Sequence, residues 1–180
     1  MRIISGTHRG RKITPPRNLP VRPTTDRAKE ALFNILGNRF YFEEIKVLDL
    51  FAGTGNISFE FASRGSRDII SVDQHAGCVK FIQEKSAEWG LPIRAVRMDV
   101  FKYLQTATGK FDLILADPPY NFSEAELKEI HDLIYDRELL EPDGTLIIEH
   151  SKKTDLSSLN HLAEVRKYGN SWFSFFTEEK

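Results

Sequence analysis

Over most of the chain, short apolar runs alternate with longer stretches of helical period. Val47 to Phe51, Ile69 to Asp73, Ile93 to Met98 and Phe111 to Ala116 are strand-length runs rich in Val, Ile, Leu and Phe. Between them, Val79, Ile82 and Trp89 fall on one helix face, and later Leu127, Ile130 and Ile134 on another. Earlier in the chain, Ala28, Ala31, Leu32, Ile35 and Leu36 take the i, i+3, i+4, i+7, i+8 positions of an amphipathic helix. Thr24 or Thr25 stands as its cap and Gly37 as its stop. Thr145 to His150 reads as a fifth strand after the turn Pro142-Asp143-Gly144. Ala163 to Tyr168 and Trp172 to Phe176 flank Gly169-Asn170-Ser171 and predict a hairpin. Strand and helix in turn predict a parallel sheet covered on both faces, here an open α/β sheet closed by an antiparallel pair.

The first residues follow another pattern. Arg2-Ile3-Ile4 and Arg11-Lys12-Ile13 lie either side of a Gly6 to Gly10 turn, which predicts a small β-hairpin. Pro15, Pro16, Pro20 and Pro23 then impose an extended arm. We divide the chain into a hairpin and arm, residues 1–23, and a main body, residues 24–180, within a single domain overall. No internal repeat or low-complexity linker interrupts it.

Charge separates the same two parts. The first 25 residues hold Arg2, Arg9, Arg11, Lys12, Arg17 and Arg22 and no acid, whereas the rest carries 19 basic against 26 acidic residues. Such asymmetry suits a basic arm that meets a polyanion, although charge alone fits a solvated hairpin equally well. At 180 residues, 41% hydrophobic and 28% charged, the chain has the balance of one globular domain. Cys78 is the single cysteine and the five histidines lack metal-ligand spacing, which argues against a disulfide scaffold and a zinc module. No leader-like apolar run opens the chain and none has membrane-spanning length, so we expect a cytoplasmic protein that meets no membrane.

Ligands of an open parallel sheet bind beyond the carboxyl ends of its strands. The first strand ends in Asp49-Leu50-Phe51-Ala52-Gly53-Thr54-Gly55, where the glycines let backbone amides approach a ligand. Taken alone, G-x-G is a weak signal. A dinucleotide fingerprint needs Gly or Ala where Ser58 stands, and a P-loop needs G-K-[ST], whereas Gly109-Lys110 precedes Phe111. Asp49 suits a cationic amino group. Asp73, 20 residues after Gly53, has the spacing that reaches a ribose, and Asp99 ends the third strand where an adenine amine would lie. Each of the latter two alone is more often a helix cap. Three acids at three successive strand ends beside a glycine loop favour a nucleoside with a cationic tail, S-adenosylmethionine.

The fourth strand ends in Asp117-Pro118-Pro119-Tyr120, whose prolines hold the Asp117 carboxylate and nearby carbonyls outward. A rigid turn without chemistry would look the same. An exocyclic amine on a nucleobase is a poor nucleophile with two hydrogens to bind. Acceptors on Asp117 and the Pro118 carbonyl can orient it and stabilise the positive charge that develops, while Tyr120 stacks on the base. Methylation of a pyrimidine carbon needs a cysteine nucleophile, and Cys78 lies away from this turn, so we read it as packing.

The chain resembles the bacterial ribosomal RNA small subunit methyltransferase D family. The likeness begins at Met1-Arg2-Ile3-Ile4 and Gly10-Arg11 and runs through Arg22-Pro23-Thr24-Thr25-Asp26-Arg27 and Glu30 to Leu36. It continues in Leu48 to Gly55 and ends with Asp117 to Tyr120, Glu149-His150 and Tyr168-Gly169. The Asp-Pro-Pro-Tyr piece is shared by many amino-methyltransferases; the Arg22 to Arg27 segment is far more specific. The resemblance implies a Rossmann-like class I S-adenosylmethionine-dependent methyltransferase fold with a seven-stranded, mostly parallel sheet and an antiparallel C-terminal hairpin. It implies methylation of a guanine N2 in 16S rRNA, with Asp117, Pro118, Pro119 and Tyr120 at the target base. Asp49, Phe51, Ala52, Gly53, Thr54, Gly55, Asp73, Gln74, Asp99 and Val100 would hold the cofactor, and Arg2, Arg9, Arg11, Lys12, Arg17, Arg22 and Arg27 the RNA. Relatives usually carry Glu where Asp73 ends the second strand, and Ser5 replaces a usual glycine. We expect a monomer without metal, acting on an assembled or assembling small subunit. A DNA adenine methyltransferase shares Asp-Pro-Pro-Tyr but usually carries a further target-recognition region; a non-catalytic RNA-binding scaffold would have no need of the cofactor residues.

Overall fold

The computed structural model describes residues 1–22 and 24–178, so Pro23 of the arm lies outside the described residues. Seven strands form one sheet: β1 (Lys46–Leu50), β2 (Asp68–Asp73), β3 (Ile93–Arg97), β4 (Phe111–Ala116), β5 (Leu140–His150), β6 (Leu162–Tyr168) and β7 (Ser171–Thr177). Their order is β3-β2-β1-β4-β5-β7-β6, parallel from β3 to β5 and antiparallel at β7 and β6. The chain winds outward from β1 to β3, then returns to place β4 on the other side of β1. That reversal opens a crevice at the carboxyl ends of β1 and β4.

Alternation of side chains along the strands builds two cores. Leu48, Leu50, Ile70, Val72, Ile114 and Ile148 face α4 (Val100–Thr106) and α5 (Glu124–Asp136). Val47, Ile69, Leu113, Leu115 and Ile147 face α1 (Asp26–Gly37) and α2 (Asn56–Ser63). A third cluster joins Ile3 and Ile13 to Phe59 of α2 and Ile82 of α3 (Ala76–Trp89), so the N-terminal segment is packed onto the sheet's helical layer. Among the described residues no helix is long and apolar enough to cross a membrane.

The structure moves several boundaries. The N-terminal hairpin is reduced to one bridge, Arg2 with Lys12, supported by backbone hydrogen bonds between Ile3 and both Arg11 and Gly10. Thr25 caps α1, with its hydroxyl accepting from the Ala28 amide at 3.2 Å. The helix buries Lys29 and Phe33, while Ala31 and Ile35 are only half-buried. Helix packing on both sheet and arm widens the buried face beyond the apolar stripe. Gly37 is the last helical residue, followed by Asn38 as the C-cap. The segment Pro142-Asp143-Gly144 is no separate turn; β5 runs through it, with its register against β4 shifting between Phe111 and Leu113. Gly144 is held there by crowding, since a Cβ would sit 2.9 Å from the Glu141 carbonyl oxygen. Ser171 belongs to β7, opposite Tyr168, which leaves Gly169-Asn170 as a two-residue turn. Helix α4, seven residues long, is too short for its periodicity to show in the sequence.

Candidate active site

Leu50 pairs with Ala116 at the ends of β1 and β4, so the loops that follow stand side by side. The first loop begins under constraint. Phe51 has φ 59°, a left-handed conformation uncommon outside glycine, and its ring packs edge-on against Phe122, centroids 5.2 Å apart. Gly53 also has positive φ, and a side chain on it would meet Val21 of the arm at 3.3 Å. Gly55 caps α2 at φ 82°, where a Cβ would approach Ile82 to 2.9 Å. Its role is conformational and steric, and it does not line the cavity.

Around these loops lies a cavity of about 740 Å³, within the usual span of small-molecule sites. It brings together Asp49, Phe51, Ala52, Gly53, Thr54, Asp73, Gln74, Asp99 and Val100 with Asp117, Pro118, Pro119 and Tyr120. Asp49 is 2% exposed, and its carboxylate accepts from the Ser58 hydroxyl at 2.6 Å. Burial, countered by that hydrogen bond, pushes its carboxyl up to about 7. Asp73 accepts from the Gly53 amide on Oδ2 at 2.9 Å and from the His75 amide on Oδ1 at 2.8 Å, which fixes both oxygens at the cavity wall. Asp99 caps α4, accepting from the Lys102 amide at 3.1 Å, and lines the cavity as well. Capping and ligand contact are thus compatible for one side chain.

At the β4 end, the Asp117 amide donates to the Leu50 carbonyl at 3.4 Å, tying the two loops together. Asp117 lies beside Glu149, because β5 aligns Ile148 with Ala116. Burial holds the Asp117 carboxyl well above the usual carboxylate range; Glu149 adds to the rise and Arg22 opposes it. Burial raises the Glu149 carboxyl as well, opposed by Ser171, Arg22 and Asp117. Tyr120 is 38% exposed, and its hydroxyl donates to the Asn170 carbonyl at 3.3 Å, bracing the ring against the β6–β7 turn.

The arm closes one wall. Met1, Pro20, Val21, Arg22 and Thr24 line the cavity, and the Arg22 guanidinium lies 3.3 Å from the centre of the Tyr120 ring. Of the basic residues expected to meet RNA, Arg22 alone enters the cavity lining. Arg9, Arg11, Lys12, Arg17 and Arg27 are exposed outside it, with Arg11 over Trp89 at 5.2 Å, and Arg2 pairs with Asp26 at 2.8 Å. Cys78 is buried yet contributes to the cavity wall, where burial pushes its thiol up to about 11. It is unsuited to nucleophilic work at neutral pH. Sequence reasoning overlooked Arg22 as a cavity residue and Glu149 as the neighbour of Asp117. The signals for Glu149 were its position near the end of a predicted strand and the Glu149-His150 pair in the family resemblance.

The model of the Conserved hypothetical protein 95 family matches residues 1–177. The ribosomal RNA small subunit methyltransferase D of Haemophilus influenzae is 31% identical over 162 residues, covering 87% of this chain and 81% of that protein. The solved structure of the Escherichia coli protein yhhF superimposes with a TM-score of 0.87 at 26% identity, covering 99% of this chain and 98% of that one. A Synechocystis magnesium protoporphyrin IX methyltransferase, solved with bound S-adenosylmethionine, shares the fold at 14% identity, with a TM-score of 0.69 over 85% of this chain and 79% of that one. The chain belongs to the Conserved hypothetical protein 95 family, that of the ribosomal RNA small subunit methyltransferase D proteins, and has the fold of S-adenosylmethionine-dependent methyltransferases.

Proposed function

We propose that this protein transfers the methyl group of S-adenosylmethionine to the exocyclic N2 amino group of a guanine in 16S rRNA, within the small ribosomal subunit. The observation that carries this reading is the shared cavity. Asp117-Pro118-Pro119-Tyr120 opens onto the same space as the Gly53 loop and the carboxylates of Asp49, Asp73 and Asp99. The relative named a ribosomal RNA small subunit methyltransferase supports the substrate.

The residues fit the cofactor. Asp49 stands ready for the cationic amino group, Gly53 leaves room for close backbone approach, and Asp73 and Asp99 offer acceptors to ribose and adenine. Bound S-adenosylmethionine supplies an electrophilic methyl on a sulfonium sulfur. Asp117 and the Pro118 carbonyl hold the hydrogens of the target amine, turn its nitrogen toward that methyl, and stabilise the charge that builds there. The amine loses its proton readily once it is cationic, so no strong general base is required. Tyr120 supports the base from one face after it leaves its stack.

A carboxyl near 7 has a consequence for binding. A cation bound beside Asp49 favours its charged form, so below about pH 7 binding must release a proton. We expect cofactor affinity to fall about tenfold between pH 8 and pH 6, and the Asp49→Asn variant to bind weakly with little pH dependence. Calorimetry across this range checks it; a flat profile for the wild type removes Asp49 from cation binding.

Outside the cavity, Arg9, Arg11 and Lys12 are exposed and suited to phosphates. Replacing all three by Ala should flatten the salt dependence of RNA binding by about three units in the log–log slope. An unchanged slope would leave this segment as surface. The reading as a whole is tested by transfer of labelled methyl to small subunits from cells lacking the gene, followed by nucleoside analysis. N2-methylguanosine at one position is the expected product, and methyladenosine or labelled DNA overturns the substrate. Equal transfer to naked 16S rRNA would remove the assembled particle from the proposal.

A further inference from the structure

Arg22 and Glu149 are left over from the mechanism above: Arg22 lines the cavity, and Glu149 lies just behind its wall beside Asp117, in a small recess shared with Pro118, Pro119 and Tyr120. The Arg22 guanidinium carbon lies 3.3 Å from the centre of the Tyr120 ring, about the spacing of a stacked base. Its Nη2 is 4.0 Å from Oε1 of Glu149, an ion pair at the limit of contact. Glu149 is 2% exposed, and among the described residues its Oε1 has no hydrogen-bond partner. A buried acceptor without a donor is costly, and one beside a binding cavity points to a donor that arrives with the ligand.

The chemistry of guanine supplies that donor. Its N1–H and N2–H2 lie side by side on one edge, and N1, C2, N2 and N3 together form a planar guanidine unit. A carboxylate pair accepts from such an edge much as it accepts from arginine. Adenine and other bases with an unprotonated ring nitrogen present a lone pair there instead and are repelled.

We propose that Glu149 selects guanine, accepting from N1–H while the adjacent Asp117 accepts from the N2 amine, and that the Arg22 guanidinium occupies this place on Tyr120 when no RNA is bound. This rests on the guanine-N2 reading above. Glu149 is a specificity residue: it touches the base beside the reacting amine but not the amine itself. Arg22 has a half-exposed side chain on an irregular arm and only a long contact to Glu149, so an entering base can displace it. Tyr120 then exchanges a guanidinium for a purine on the same face.

The test compares guanine with 2-aminopurine at the target position, once that position has been mapped. 2-Aminopurine keeps the 2-amino group but carries a lone pair at N1 and no O6. With reconstituted small subunits as substrate, the wild type should prefer guanine by roughly 10³-fold or more in kcat/KM, as sites built around a hydrogen bond do. Glu149→Gln should reduce that preference to roughly 10-fold or less, because an amide can accept from N1–H of guanine or donate to N1 of 2-aminopurine. Unchanged affinity for S-adenosylmethionine shows that the variant is folded. If Glu149→Gln keeps the wild-type preference, Glu149 does not read N1 and the proposal falls, while the guanine-N2 reading stands. Should Glu149→Gln not fold, Glu149→Asp decides: the shorter carboxylate should lower kcat/KM on guanine at least roughly 10-fold and still reject 2-aminopurine, and wild-type turnover overturns the proposal. If the wild type places no methyl on guanine N2, the functional reading itself has failed, and this inference with it.

Discussion

Replacing Asp117 by Ala lowers methyl transfer by about 10³-fold or more while leaving cofactor affinity within about threefold of the wild type. The expectation follows from where the side chain sits. Asp117 leaves β4 at the junction of the two loops, and its carboxyl faces Glu149 and Arg22, whereas Asp49, Gly53, Asp73 and Asp99 come from the ends of β1, β2 and β3. Its removal takes away an acceptor for the amine without removing any of those residues. Asp117→Asn retains one carbonyl acceptor and should lose less, about 10- to 100-fold. Single-turnover transfer and calorimetry together check this, and turnover of Asp117→Ala near the wild-type rate would remove Asp117 from the mechanism.

The second large effect concerns stability. Lys29 of α1 is fully buried, with its Nζ donating to the Arg2 carbonyl at 2.5 Å and to Asn56 Oδ1 at 2.9 Å, and lying 3.3 Å from Glu60 Oε2. Glu60 is equally buried and accepts from the Ile4 and Ser5 amides at 2.9 and 3.1 Å and from Arg64 at 2.9 Å. The pair therefore fastens the N-terminal segment to α1 and α2, and Asn56 carries the connection to the cavity wall. Burial lowers the Lys29 pKa and the Glu60 charge opposes that shift, so the buried ammonium depends on Glu60. Lys29→Met leaves Glu60 with Arg64 as its remaining cationic partner and strips the Arg2 carbonyl and the buried Asn56 Oδ1 of their donor, so it should cost about 3 kcal/mol in urea unfolding. The double replacement Lys29→Met with Glu60→Leu should recover part of the loss. A single-variant loss below about 1 kcal/mol would show that water reaches the pair and that the clamp is weak.

Neither partner in that clamp was visible in the chain. Lys29 occupies a position that the helical apolar stripe leaves polar, and Glu60 lies within an otherwise ordinary amphipathic segment. Polar residues are read as solvent-facing unless something else marks them, and here the mark is a packed N-terminal segment that local patterning does not reveal. Trp89 shows the converse, an apolar side chain left half-buried at the end of α3, where His8 and Arg11 cover it.

The sequence alone determined the order of the strands and of α1, α3 and α5, the glycine loop after the first strand, and acids at the ends of four strands. These are local properties: a period of 2 or 3.6 and a turn residue constrain their own neighbourhood whatever the rest of the chain does. The tertiary structure decided which ends meet. Three helices and two strands separate β1 from β4, yet pairing places Asp49 and Asp117 on one cavity. It also set Glu149 beside Asp117, carried Arg22 from a basic arm onto Tyr120, and buried Lys29. Each depends on contacts between segments far apart in the chain, whose geometry is fixed only when the sheet closes around its reversal of strand order and both helical layers pack.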